Sequence, residues 1–167
     1  PNLGPGNGAS IAMTDSIPLM AFIFKPFTHW YRGTFQYFGL WTLSCFVMQA
    51  VASWKLLGLW IKSRIHLVFG CAFFVIAPAF LDRMTFHFGL AAQWLILLAL
   101  YLFFKQEFSF KAWVCLGVVA TLIQPYLAMM VSAVFFFSLL KQQHFTKRLS
   151  LYLSAIGIAA WQAGLFV

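Results

Sequence analysis

Long apolar and aromatic blocks alternate along this chain with short polar breaks at 55–64, 82–88, 105–111 and 141–148. Blocks of that length predict helices of about 20 residues that cross a membrane. The expected fold class is therefore all-α: a polytopic transmembrane helical bundle, a single domain over 1–167 with no linker. The first span falls at about 35–54 and the second at about 65–81, with Pro78 near its end. A very short polar loop, 82-DRMTFHF-88, leads to a third span at about 89–104, and a last apolar segment covers 149–167.

Ahead of the first span, residues 1–14 form a loop rich in Gly and Pro. Ser16 and Pro18 suit a helix start, because a hydroxyl accepts from free backbone N–H groups and proline is tolerated in the first turn. From Leu19 to Tyr31 the chain is apolar and aromatic but interrupted by Lys25-Pro26. Proline inside a helix removes a hydrogen bond, so this stretch predicts two short helices lying on the membrane surface, neither able to span it.

The segment 112–140 admits two readings. As one helix it would reach about 43 Å, against a hydrocarbon core of about 30 Å, so it must tilt and kink. Alternatively Gln124-Pro125 breaks it into half helices, 112–124 and 125–140, that return to the same side. Charge favours the second. The breaks at 55–64 and 141–148 carry three basic residues each and 105–111 carries Lys105 and Lys111 against Glu107, whereas 82–88 has only Arg83 against Asp82. Positive charge collects on the cytoplasmic side. Placing the three basic breaks there requires 112–140 to enter and leave together. The N-terminal loop, 82–88 and Gln124 then share the extracytoplasmic side.

Composition agrees with a membrane class: of 167 residues, 63% are hydrophobic, 20% aromatic and only 8% charged, against roughly 25% charged in soluble domains. The net charge of +8 does not indicate nucleic acid, because the eleven Lys and Arg sit in short breaks and not along one soluble face. They read as topology signals and contacts to lipid headgroups. Three cysteines, Cys45, Cys71 and Cys115, lie in apolar segments without CxxC spacing, which indicates neither a disulfide framework nor a metal site. No signal peptide is visible, and both ends look cut, so a fragment of a longer protein is expected, the alternative being a processed small membrane protein.

Charged groups in or near a bilayer are costly unless paired or facing water, which makes the three acids the first candidates for function. Glu107, between Lys105 and Lys111, is expected to form a solvated ion pair. Asp15 reads either as a cap for the helix near Pro18 or as a catalytic acid, and Asp82 either as a local partner of Arg83 or as a site residue. Arg83 is either a lipid anchor or a clamp for a substrate phosphate, which guanidinium suits by bidentate geometry. His87, His29 and Lys25 read individually as interfacial polar residues. No Gly-rich phosphate loop, nucleophile elbow or HExxH is present.

The segments 14-TDSIPLMAFIFKP-26, 36-QYFGLW-41, 82-DR-83 with 87-HFGLAAQWLIL-97, and 124-QPYLAMM-130 resemble an uncharacterised bacterial family of polytopic proteins grouped with the GT-C-type integral membrane glycosyltransferases. The resemblance covers most of the chain. It implies a sugar moved from a polyprenyl-phosphate donor to a glycan or lipid acceptor on the extracytoplasmic face of the bacterial inner membrane. It further implies Asp15 as general base, or metal ligand in some members, and Asp82 as the second catalytic acid. Arg83, His87, Gln124 and Lys25 become substrate-binding candidates. Gln124 departs from the Lys or His expected at the apex between two short helices, which shifts the carrier phosphate toward the other three. No cofactor is implied, and a divalent metal is left open. The alternatives are a transporter or lipid-handling protein and a non-catalytic membrane assembly subunit.

Overall fold

The computed structural model describes residues 16–30, 36–140, 142 and 145–164, and among these all regular structure is helical. The helices are α1 (Pro18–Phe24), α2 (Phe38–Leu57), α3 (Arg64–Val75), α4 (Pro78–Phe86), α5 (Trp94–Phe104), α6 (Phe110–Ile123), α7 (Pro125–Leu139) and α8 (Phe145–Gln162), with 3-10 turns at Lys25–Trp30 and Phe88–Ala91. Three prolines, Pro18, Pro78 and Pro125, sit in the first turn of α1, α4 and α7. There the missing N–H costs nothing and the fixed φ favours a helix start.

Pro78 revises the sequence expectation. It opens a helix and does not lie near the end of one, so the second apolar block divides at Ile76-Ala77 and α3 and α4 meet at a bend of 42°. The stretch 82–88, expected as a loop, is for the most part the second half of α4. The third block is shorter than expected, with a 3-10 turn before the 11 residues of α5. Helix α8 begins at Phe145, so Lys147 and Arg148 lie in its first turn and not in the preceding loop.

Helix α5 is the centre of the bundle, packed against α2, α6 and α7; α3 lies outside α2, and α8 lies against α6 and α7. Its sequence, WLILLALYLFF, is apolar all round, as a helix covered on several sides requires. Fully buried alanines on three of these helices, Ala52, Ala99 and Ala120, allow close approach of the backbones. Trp41 Nε1 donates to Phe88 O at 2.8 Å and fastens the 3-10 turn to α2, while Gln93 Nε2 donates to Ala79 O at 3.3 Å and ties α4 to the entry of α5.

The segment 112–140 is divided at Gln124, whose φ of −159° and ψ of 125° are extended. A residue before proline is held away from the helical region. The two helices then fold back on each other. The rings of Trp113 and Phe135, eleven residues before and after Gln124, lie with centroids 5.5 Å apart. A straight helix would separate them by about 33 Å.

Helix α2 is long and apolar enough to cross a membrane, and α3 with α4 passes the same test as one broken span. Only 33% of the α2 window is buried. Its outward stripe, Leu43, Val47, Val51 and Trp54, is as apolar as the inner one, and α3 exposes Ile65, Val68, Phe69 and Phe73. Exposed apolar surface of this extent on adjoining helices marks contact with lipid or protein.

Candidate functional site

The bundle has two chemically different ends. At one, the ring of Trp60, after α2, lies 5.1 Å from that of Phe104 at the end of α5. The Arg148 guanidinium stands 5.2 Å from the centre of the Phe108 ring, and Phe145 packs on Phe136 at 5.7 Å. The breaks at 55–64 and 105–111 and the start of α8 therefore meet there, bringing Lys55, Lys62, Arg64, Lys105, Lys111, Lys147 and Arg148 to one basic end. Glu107 lies among them and pairs with Lys105, Oε2 to Nζ 3.3 Å.

The opposite, fold-back end is assembled on aromatic contacts. Phe24 of α1 stacks on Tyr37 at 6.2 Å, Tyr37 touches Phe38 at 4.9 Å, and Phe38 touches Phe88 at 5.1 Å. Lys25 follows Phe24 in the chain and His87 precedes Phe88, so this row of rings brings both candidates to one end. Phe22 shares a cavity of about 480 Å³ with Leu122, two residues before Gln124, and with Gln162. Gln124 thus joins the same end, buried at the joint of α6 and α7.

Asp82 and Arg83 are near this end but differ in direction. The inner face of α4 is set by Phe80, fully buried with its ring 5.2 Å from that of Phe46, and by Met84. Asp82 lies about 200° around the helix from Phe80, on the side away from the bundle, whereas Arg83 flanks the inner face. Asp82 is accordingly exposed and Arg83 half-buried. Thr85 Oγ1 donates to the carbonyls of Leu81 and Asp82, at 3.2 and 3.1 Å, as hydroxyls inside helices commonly do. The structure therefore brings Lys25, His87 and Gln124 to one end of the bundle, with Arg83 one helical turn before His87, and turns Asp82 outward.

Asp15 lies outside the described residues. The N-cap position of α1 is Ile17, with no side-chain cap. A cavity of about 270 Å³ opens beside Ser16 and Ile17, lined also by Tyr37 and Gln162. Neither of these was singled out from sequence. Tyr37 lies within 36-QYFGLW-41, a segment that carried only the resemblance, and Gln162 within the last apolar segment. The signal for Gln162 was available, since a lone amide in an apolar run is what distinguishes Gln124.

Among the described residues no group of three His, Cys, Asp or Glu comes close enough to hold a metal ion. Neither Asp82 nor His87 therefore has a metal-binding set around it among the described residues. What the fold-back end offers is positive charge from Lys25 and Arg83, an imidazole, two amides and a phenol. Such a set can bind a phosphate and orient hydroxyls. No curated protein and no solved structure matches the chain. The profile of one protein family matches residues 1–167, and the chain belongs to that family, described as a domain of unknown function, DUF6311.

Proposed function

We propose that this chain is a membrane-embedded helical bundle, polytopic through α2, the α3–α4 pair, α5, the α6–α7 hairpin and α8, and that it forms part of a GT-C-like glycosyltransferase. Its site is the fold-back end, on the extracytoplasmic face of a bacterial inner membrane, and its donor is a polyprenyl-phosphate sugar. One observation carries the reading. Lys55, Lys62, Arg64, Lys105 and Lys111 lie at one end of the bundle, the fold-back at Gln124 returns Lys147 and Arg148 to it, and Lys25, Arg83, His87 and Gln124 lie at the other, a distribution that fits an extracytoplasmic site under positive-inside topology.

The chemistry follows from the residues. Transfer to an acceptor hydroxyl needs a base beside the nucleophile and positive charge where the phosphate departs. Asp15 takes the first role, and Arg83 with Lys25 and His87 the second. Gln124, Gln162 and Tyr37 supply neutral donors and acceptors for hydroxyl groups. Attack from the face opposite the leaving phosphate inverts the anomeric centre.

The decisive measurement is glycan transfer by membranes carrying the full chain with Asp15→Asn. Loss of transfer, with normal membrane insertion, is expected; transfer at the wild-type rate removes Asp15 from the mechanism. The outward direction of Asp82 favours a second reading, a lipid-handling protein whose acids meet headgroups or a partner subunit. In that case Asp82→Asn impairs function and Asp15→Asn does not.

A further inference from the structure

Two carbonyls at the joint of α3 and α4 are met by side-chain amides from other elements. Phe74 O stands four residues before Pro78, which has no N–H to give it, and the last ladder bond of α3 is Ile76 N to Ala72 O at 2.9 Å. Gln49 of α2 takes the place of the missing donor, with Nε2 3.5 Å from Phe74 O. On the far side of the joint Gln93, just before α5, donates from Nε2 to Ala79 O at 3.3 Å. The joint is thus held from both sides.

Gln49 is a costly residue to keep at this place. It is 3% exposed, and its Oε1 is buried with no hydrogen-bond partner. A buried amide left half-satisfied destabilises, and an apolar side chain of similar shape is better tolerated. Packing alone gives no reason for an amide here; the bond to Phe74 O does. Helix α4 is otherwise lightly held, for among its described side chains only Phe80 and Met84 are buried. Five residues after Pro78 it carries Arg83. That is about 7.5 Å along the helix, so straightening the 42° bend would carry the Arg83 Cα about 5 Å.

We propose that Gln49 and Gln93 are positioning residues, which together fix the angle between α3 and α4 and so set where Arg83 stands at the fold-back end. Both act through backbone carbonyls. The role of Arg83 toward a phosphate rests on the function proposed above; the amide clamp does not.

The test uses the full chain in phosphatidylcholine vesicles, with nitroxide labels on Thr85→Cys and Tyr126→Cys, both at exposed positions, in a background without Cys115. The distance between the labels reports where α4 stands relative to α7, and thermal unfolding is followed alongside. Gln49→Leu combined with Gln93→Leu is expected to shift that distance by several ångströms, or to spread it over a similar width, while the melting temperature holds or rises. A wild-type distance distribution overturns the proposal, and so does a loss confined to the melting temperature, which would make both amides merely structural. Pro78→Ala gives Phe74 O a backbone donor, so in that background Gln49→Leu is expected to add no shift of its own; a full second shift shows that Gln49 does not act through Phe74 O. Should the paired variant fail to fold, Gln93→Leu alone, at a half-buried position, is read by the same distance, and an unchanged distribution overturns the clamp. Arg83 is read separately. A short polyprenyl phosphate is expected to protect Arg83 from phenylglyoxal several-fold in the wild-type chain and less in the paired variant. Absence of protection, in a chain whose labels respond as expected, removes Arg83 from phosphate binding and leaves the clamp standing.

Discussion

At Gly117 a single hydrogen atom decides how closely α6 and α8 approach. A Cβ built there would lie 2.6 Å from Tyr152 Oη and 2.7 to 2.8 Å from two carbons of its ring, closer than real contacts allow. Gly117→Ala is therefore expected to cost about 1–3 kcal/mol by overpacking. Tyr152→Phe leaves the ring in place and removes only the bond to Ser132, a loss of roughly 0.6 kcal/mol for an interhelical hydrogen bond in a membrane. Thermal unfolding of the purified protein in detergent should rank the two in that order, and a Tyr152→Phe that is the worse of the pair would show that the close approach is not what holds α8. Neither residue was singled out from sequence. A glycine in an apolar block has no distinguishing mark until the helix opposite it is known, and the same holds for Asp82. Its residue type flagged it, but its outward direction depends on the phase of α4, which is set by Phe80 and Met84 packing inward.

Among the elements, the α6–α7 hairpin was legible in advance because two independent signals agreed, a proline in mid-block and a basic break at each end. The α4 helix was not. Its polar stretch, DRMTFHF, reads as a loop by composition, yet Pro78 starts a helix and the buried faces of Phe80 and Met84 carry it through Asp82 and Arg83. Tertiary burial outweighed local polarity. The hairpin makes a clear prediction. Pro125→Ala restores an N–H and lifts the restriction on Gln124, so the extended conformation loses its local cause and α6 and α7 gain access to a continuous helix. Less protection of Trp113 and Phe135 in hydrogen exchange is expected, together with a lower melting temperature. An unchanged protein would mean that packing against α5 and α8 alone fixes the fold-back.

For the whole molecule the prediction concerns sides. Single cysteines at Lys62, Gln106 and Thr146, in a background without Cys115, are expected to react with an impermeant reagent from the cytoplasmic side. Cysteines at Phe27 and Thr85 are expected to react from the opposite side. A cysteine at Thr146 labelled together with Thr85 would unfold the hairpin reading and move Gln124 into the bilayer. The hairpin also has a bearing on synthesis. The 14 residues of α6 reach only about 21 Å, short of a bilayer core, and the inner face of α6 is completed by α7. In the embedding proposed above, a chain growing from the ribosome has no stable place to leave α6 on its own. The two helices are then expected to enter as a pair, after Leu139 has emerged, and a reporter fused at Gln124 to read as though the membrane had never been crossed.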